Sequence, residues 1–243
     1  MKGGERYLKQ SSLLQRYRLL IALVLMAVFL LFIVLLKGQH YLLFSFMCLI
    51  CSILPAYWRF EHDPISTQTL MFIAVLIALA VATRVPLGAI PGVQGASFVI
   101  ILSGVSLGPE LGFITGSTTA LVSNMFMGQG PWTPWQMVAW GLMGLTAGLF
   151  MKARLSHSLI FMIIFAGVWG YLFGWIMDLW YALAYVSPLT LKSFILAFAA
   201  SFFPFDTFHA AFNVFLVALF YKPWEKLFHR LVTKYNILPD KDH

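Results

Sequence analysis

Asp206, His209 and Asn213 stand at i, i+3 and i+7 in the run Pro204-Phe205-Asp206-Thr207-Phe208-His209-Ala210-Ala211-Phe212-Asn213. A helix therefore places all three on one face. A carboxylate, an imidazole and an amide so aligned can relay a proton, hold a polar ligand, or knit helices together. The surrounding stretch is apolar, and lipid offers no hydrogen-bond partner, so that face must turn into the protein. Asp178, flanked by Trp175, Trp180 and Tyr181, is a further carboxylate in an apolar run, and Arg84 closes another in Thr83-Arg84-Val85-Pro86. Ionisable groups at membrane depth are costly and read first as ligand or ion sites. The competing readings are an interhelical hydrogen-bond network for the Asp206 face and a snorkelling interface arginine for Arg84.

The polar turn Gly128-Gln129-Gly130-Pro131-Trp132-Thr133-Pro134-Trp135-Gln136 lies between two apolar runs. Tryptophan at a membrane edge is an interface anchor. The accompanying glutamines, glycines and prolines describe a shaped loop with amide donors and acceptors beside flat aromatic faces. A second loop, rich in Gly and Pro, leads from Arg84 to Gln94, Gly95 and Ser97, and Asn124 falls near the end of the run before the tryptophan loop. Arg84, Gln94, Asn124, Gln129, Trp132, Trp135, Asp178 and His209 are the candidate ligand-binding residues, with Lys192 on the same side. Amide, aromatic and a few charged groups are what an organic ligand site requires. The chain has no GxxxxGK[ST], HExxH or GxSxG motif and no Cys/His metal set, so the sequence supports neither catalysis nor a bound metal or cofactor.

The elements that must position these groups are membrane spans. The chain has 243 residues, 60% hydrophobic and only 10% charged, whereas soluble domains carry about 25% charged residues. Apolar runs at Tyr17–Leu36, Tyr41–Trp58, Thr69–Thr83, Ala96–Leu107, Leu111–Met127, Trp135–Met151, Leu159–Ala184 and Leu191–Tyr221 read as eight spans, the fourth short and the last able to bend at Pro204. The first is too long for a cleavable signal and no small-residue cleavage site follows it. The net charge of +7 gathers in Lys2, Arg6, Lys9, Arg16 and Arg18 before the first span and in Lys222, Lys226, Arg230 and Lys234 after the last. Such blocks are topology signals rather than nucleic-acid patches, and they predict both termini on the cytoplasmic face of the plasma membrane. Cys48 and Cys51 lie in an apolar run with nothing to complete a redox or metal site.

The charged break near residues 59–66 separates two ordinary hydrophobic spans from a part rich in small and polar residues. The expected organisation is a basic tail with a two-helix accessory module over residues 1–65, a six-helix core over residues 67–222, and a basic cytoplasmic tail over residues 223–243. In the first core span Ala74, Ala78 and Ala82 recur every four residues, a small-xxx-small ridge that serves tight internal packing or docking of another membrane subunit. Gly141, Gly144 and Gly148 form a less regular series suited to packing within the bundle.

The six core spans, the Ala74/Ala78 ridge, the paired loops and the Asp206–Asn213 pattern together resemble the substrate-binding S-components of energy-coupling factor (ECF) vitamin transporters, over about 155 residues. The two additional N-terminal helices depart from that plan. The resemblance implies an all-α integral membrane protein, not an enzyme, that binds a micronutrient at its outer face. It implies docking, through Ala74 and Ala78, on a coupling subunit that joins two ATPase subunits, followed by toppling to release the ligand inside. The loop Pro86–Gln94 would then gate the site, and the Gln129–Trp135 loop with Asn124 and Asp178 would line it. The tryptophan loop is similar to that of S-components linked to cobalamin uptake, which implies a corrinoid. Another vitamin or a queuosine precursor suits the same residue types. The alternative is a standalone proton-coupled secondary transporter with Asp206 and His209 as a relay. A lipid-directed membrane enzyme using Asp178 or His209 has the least support.

Overall fold

The computed structural model describes Tyr57, residues 65–186, Pro188 and residues 190–238. The expected accessory spans, the basic N-terminal tail, Cys48 and Cys51 lie outside these residues, as does the end of the C-terminal tail. Tyr57 is an exception: its hydroxyl lies 2.5 Å from Thr118 Oγ1.

Seven α-helices follow in order among the described residues: α1 (Thr67–Arg84), α2 (Ala96–Leu107), α3 (Pro109–Met127), α4 (Thr133–Lys152), α5 (Leu159–Tyr185), α6 (Leu191–Ser201) and α7 (Thr207–Lys234). Their starts are written locally. The side chains of Ser66 and Ser158 accept from the backbone N–H of Thr69 and Phe161 at the heads of α1 and α5, and Thr190 with Ser193 forms a reciprocal capping box on α6. Pro109 opens α3 where its missing N–H costs nothing. Gly108 and Gly128, at φ of 90° and 105°, flank that helix in backbone conformations L-side chains rarely adopt.

Among the described residues, three stretches are long and apolar enough to cross a membrane: residues 67–87, 159–185 and the α6–α7 unit, 191–234. The α6–α7 unit is broken, as Pro204 foreshadowed, by a π-type turn over Phe202–Asp206. Counted as one crossing, it completes a six-helix bundle. The short α2 has a different task. All its residues except Ser106 are buried, and twelve residues span only about 18 Å, so it forms the centre of the bundle rather than a lipid-facing wall.

Glycine sets the closeness of that centre. A Cβ at Gly144 of α4 would lie 2.2 Å from the Gly112 carbonyl oxygen of α3, and one at Gly104 of α2 would lie 2.1 Å from the Gly144 carbonyl oxygen. These three backbones touch where any side chain would separate them, and Gly144 so takes the internal packing role expected for its series. Trp140, Met143, Ile100, Ile101, Leu102, Leu76, Met162 and Tyr221 fill the surrounding core.

The core does not stop at residue 222. Helix α7 continues through Pro223 to Lys234, because Trp224 and Phe228 carry an apolar face onward and meet Phe98 and Phe72 edge-on. Ile237 is buried and its carbonyl accepts from the Thr69 hydroxyl. Much of the expected basic tail is therefore packed against α1 and α2. The opposite end of the bundle gathers the polar groups: α1, α3 and α5 end there, while α2, α4 and α7 begin there.

Candidate ligand-binding site

Arg84, the last residue of α1, turns into the bundle and is only 6% exposed; it does not snorkel. Its Nη1 donates to Ser123 Oγ and, at 2.9 Å, to Asn124 Oδ1, both on α3. Nη2 reaches Gln136 Oε1 of α4 at 3.5 Å, and the guanidinium lies 4.6 Å above the Trp140 ring. Asn124 orients the group from behind. Its Nδ2 donates to Thr133 Oγ1 at 2.9 Å and to Gln136 Oε1 at 2.8 Å, which leaves Oδ1 for the arginine.

An aromatic stack carries this cluster across the bundle. Trp140 lies 5.1 Å from Phe173 of α5 in near-parallel planes, and Phe173 meets the His209 ring edge-on, also at 5.1 Å. On its far side His209 Nε2 is 2.8 Å from Ser97 Oγ and 3.2 Å from Gln94 Nε2. The loop after α1 is held to the same place, because Gly95 N donates to Thr83 O at 3.0 Å and a Cβ at Gly92 would strike the Phe205 carbonyl. Arg84, Asn124, Gln94 and His209 thus come together from three helices and one loop, around a floor of Trp140 and Phe173.

The remaining candidates take other positions. Gln129 is exposed and braces its own turn: Nε2 donates to Leu121 O and Oε1 accepts from the Thr133 hydroxyl. Trp132 is half-buried and meets Trp180 of α5 edge-on at 5.9 Å. Trp135 is buried against Val138 and Leu183, so it fastens α4 to α5 and leaves Trp132 as the more accessible ring. Asp178 belongs to a second cluster, in which the Ser201 hydroxyl lies 2.5 Å from Asp178 Oδ2 and 2.9 Å from Asp206 Oδ2.

Asp206, His209 and Asn213 do share one buried face, yet each has a different partner. Asp206 meets Ser201, His209 meets Ser97 and Gln94, and Asn213 Nδ2 donates to Ala166 O at 3.4 Å. No hydrogen bond joins Asp206 to His209, so the relay expected of a standalone carrier lacks its first link. Sequence reasoning missed Gln136, Trp140, Ser123 and Ser201 as members of these clusters. For the first two a signal existed: Gln136 and Trp140 are one helical turn apart and so share the face that meets Arg84.

The fold and this polar cluster define a helical integral membrane protein that concentrates its polar chemistry at one end of a six-helix bundle. Residues 64–226 match the family model described as "ECF-type riboflavin transporter, S component", and the chain belongs to that family. It is accordingly a transporter's substrate-binding subunit and not an enzyme. The chain is also 29% identical, over 143 residues, to UPF0397 proteins from two strains of Aliivibrio fischeri, MJ11 and ES114; the match covers 52% of this chain and 76% of each relative. No solved structure matches. The family description names riboflavin and not the corrinoid expected from the tryptophan loop.

Proposed function

We propose that this chain captures a micronutrient at the polar end of its bundle and delivers it by docking on a coupling subunit that carries two ATPases. The ligand sits against Arg84, Asn124, Gln94 and His209, with Trp132 and the Gln129 turn at its edge and the Pro86–Gln94 loop above it. That end faces outward, with both termini in the cytoplasm, an orientation that the distribution of basic residues supports. The observation that supports the reading best, beside the family membership, is the convergence of three helices and the loop after α1 on one largely buried set of amide, imidazole and guanidinium groups. Buried polar groups of this kind cost stability unless they serve a structural network or a ligand.

Ala74 and Ala78 are the docking ridge in this reading. Both are exposed, as are Ala82, Met71 and Val75, so the ridge is not consumed by packing within the described bundle. Riboflavin is the first ligand to try, since the family description names it, and cobalamin the second. Titration of the purified full chain in nanodiscs, followed by Trp132 and Trp180 fluorescence and by calorimetry, should give saturable binding of one of them without nucleotide or partner. Binding of cobalamin and not riboflavin would restore the corrinoid. Failure of a whole vitamin panel against folded protein would remove the reading.

A further inference from the structure

Arg84 is a buried cation with no described carboxylate as its partner. The acidic side chains at this end of the bundle, Asp178 and Asp206, are engaged with Ser201. The groups around Arg84 are neutral: Ser123, Asn124 and Gln136 accept from its two Nη atoms, and Trp140 lies beneath its plane. Nε has no acceptor, and Nε1 of the fully buried Trp140 has none either. The C-terminal dipole of α1 favours a cation at this position, but by far less than burial of an unpaired charge costs.

The backbone adds to the positive field. The first turn of α2 opens beside Thr83 and Arg84, and its N-terminal N–H groups have no side-chain cap. Helix N-termini favour anions. A guanidinium without a described counter-ion, two unsatisfied donors and an uncapped helix start all lack the same thing: an acceptor that carries negative charge.

We propose that the ligand brings that charge, as a carboxylate or a phosphate ester that pairs with the Arg84 guanidinium and takes up the Nε donor. The proposal rests on the ligand site described above and narrows its substrate to acceptor-rich anions. Riboflavin has no such group at neutral pH; its 5′-phosphate does.

Two measurements on the full chain in nanodiscs test this. In the first, thermal unfolding is followed in inorganic phosphate or acetate against chloride at equal ionic strength. Both oxyanions are expected to raise the midpoint of wild type by mass action, and to leave Arg84→Gln unmoved. Gln136→Glu is the second variant. It sets a carboxylate within reach of Nη2, and is expected to raise the midpoint without added anion and to abolish the response to phosphate and acetate. In the second, riboflavin 5′-phosphate is expected to bind wild type at least tenfold more tightly than riboflavin, with that preference lost in both variants. Anion protection with binding of neither flavin upholds the charge pairing and discards the flavin, and phosphate against acetate then separates ester from carboxylate. Equal affinity for the two flavins overturns the pairing while keeping the ligand site. An unchanged midpoint in wild type, or an equal rise in Arg84→Gln, also overturns it.

Discussion

At the scale of single residues, Ser201 has the most exposed role in the balance of forces. Its hydroxyl has one hydrogen and stands between two buried carboxylates, Asp178 Oδ2 at 2.5 Å and Asp206 Oδ2 at 2.9 Å. Like charges at such spacing repel strongly in a low-dielectric interior, and a single bridging hydrogen cannot serve both fully. Asp206→Asn replaces one repelling group with an amide that can donate to Ser201 Oγ. It should therefore hold or raise thermal stability, whereas Ser201→Ala removes the bridge and should lower it by about 1–3 kcal/mol. Unfolding midpoints of the two variants in nanodiscs check the pair, and a loss of stability in Asp206→Asn would mean that the carboxylate itself is needed. The same chemistry sets Asn124 apart from Gln129. Asn124 is buried with donor and acceptor both spent on Arg84, Thr133 and Gln136, while Gln129 is exposed and serves its own turn.

At the scale of elements, the bundle depends on how closely α2, α3 and α4 approach. Gly104, Gly112 and Gly144 stack backbone on backbone, and no neighbouring group is a flexible side-chain end that could yield. Gly144→Ala gains helix propensity of about 1 kcal/mol, but its methyl would overlap the Gly112 carbonyl, and overpacking of this kind costs about 1–3 kcal/mol. The variant should unfold at a lower temperature and should also weaken ligand binding, because α4 carries Gln136 and Trp140 to Arg84. An unchanged midpoint would show that the three helices can part without penalty. Much at this scale was legible in the sequence. Hydropathy marked each core helix, Pro204 marked the break between α6 and α7, and the i, i+3, i+7 spacing marked the buried face of α7. The length of α7 was not legible, because the basic residues after Tyr221 read as a tail, and only the aromatic face of Trp224 and Phe228 meeting Phe98 and Phe72 explains why α7 goes on. The partners of each polar group were not legible. Periodicity tells which residues share a face but not which helix that face meets, so the Asp206 face was readable as one unit and yet divides among Ser201, Ser97 with Gln94, and Ala166.

At the scale of the whole molecule, the two ends of α1 have separate duties. Its last residue, Arg84, is drawn into the polar cluster, while Ala80, one turn earlier, is fully buried against the core. Ala74, Ala78 and Ala82 occupy another face, which stays exposed. A helix that commits one face to its own bundle and leaves a small-residue ridge on another can present that ridge to a second membrane helix at close range, where packing rather than hydrophobicity drives association. Ala78→Leu adds bulk to the exposed face and none to the buried one. The fold and ligand affinity of the purified chain should therefore stay unchanged. Uptake in cells that co-express a coupling subunit and its ATPases should fall roughly tenfold or more, which corresponds to a loss of about 1.4 kcal/mol in association. Co-purification of the coupling subunit should fall with it. If affinity and uptake decline together, the alanine face contributes to the fold and docking must use another surface. If neither changes, the ridge meets only lipid. Ala80→Leu serves as the contrast, since its side chain would enter the packed core and should lower stability and binding alike.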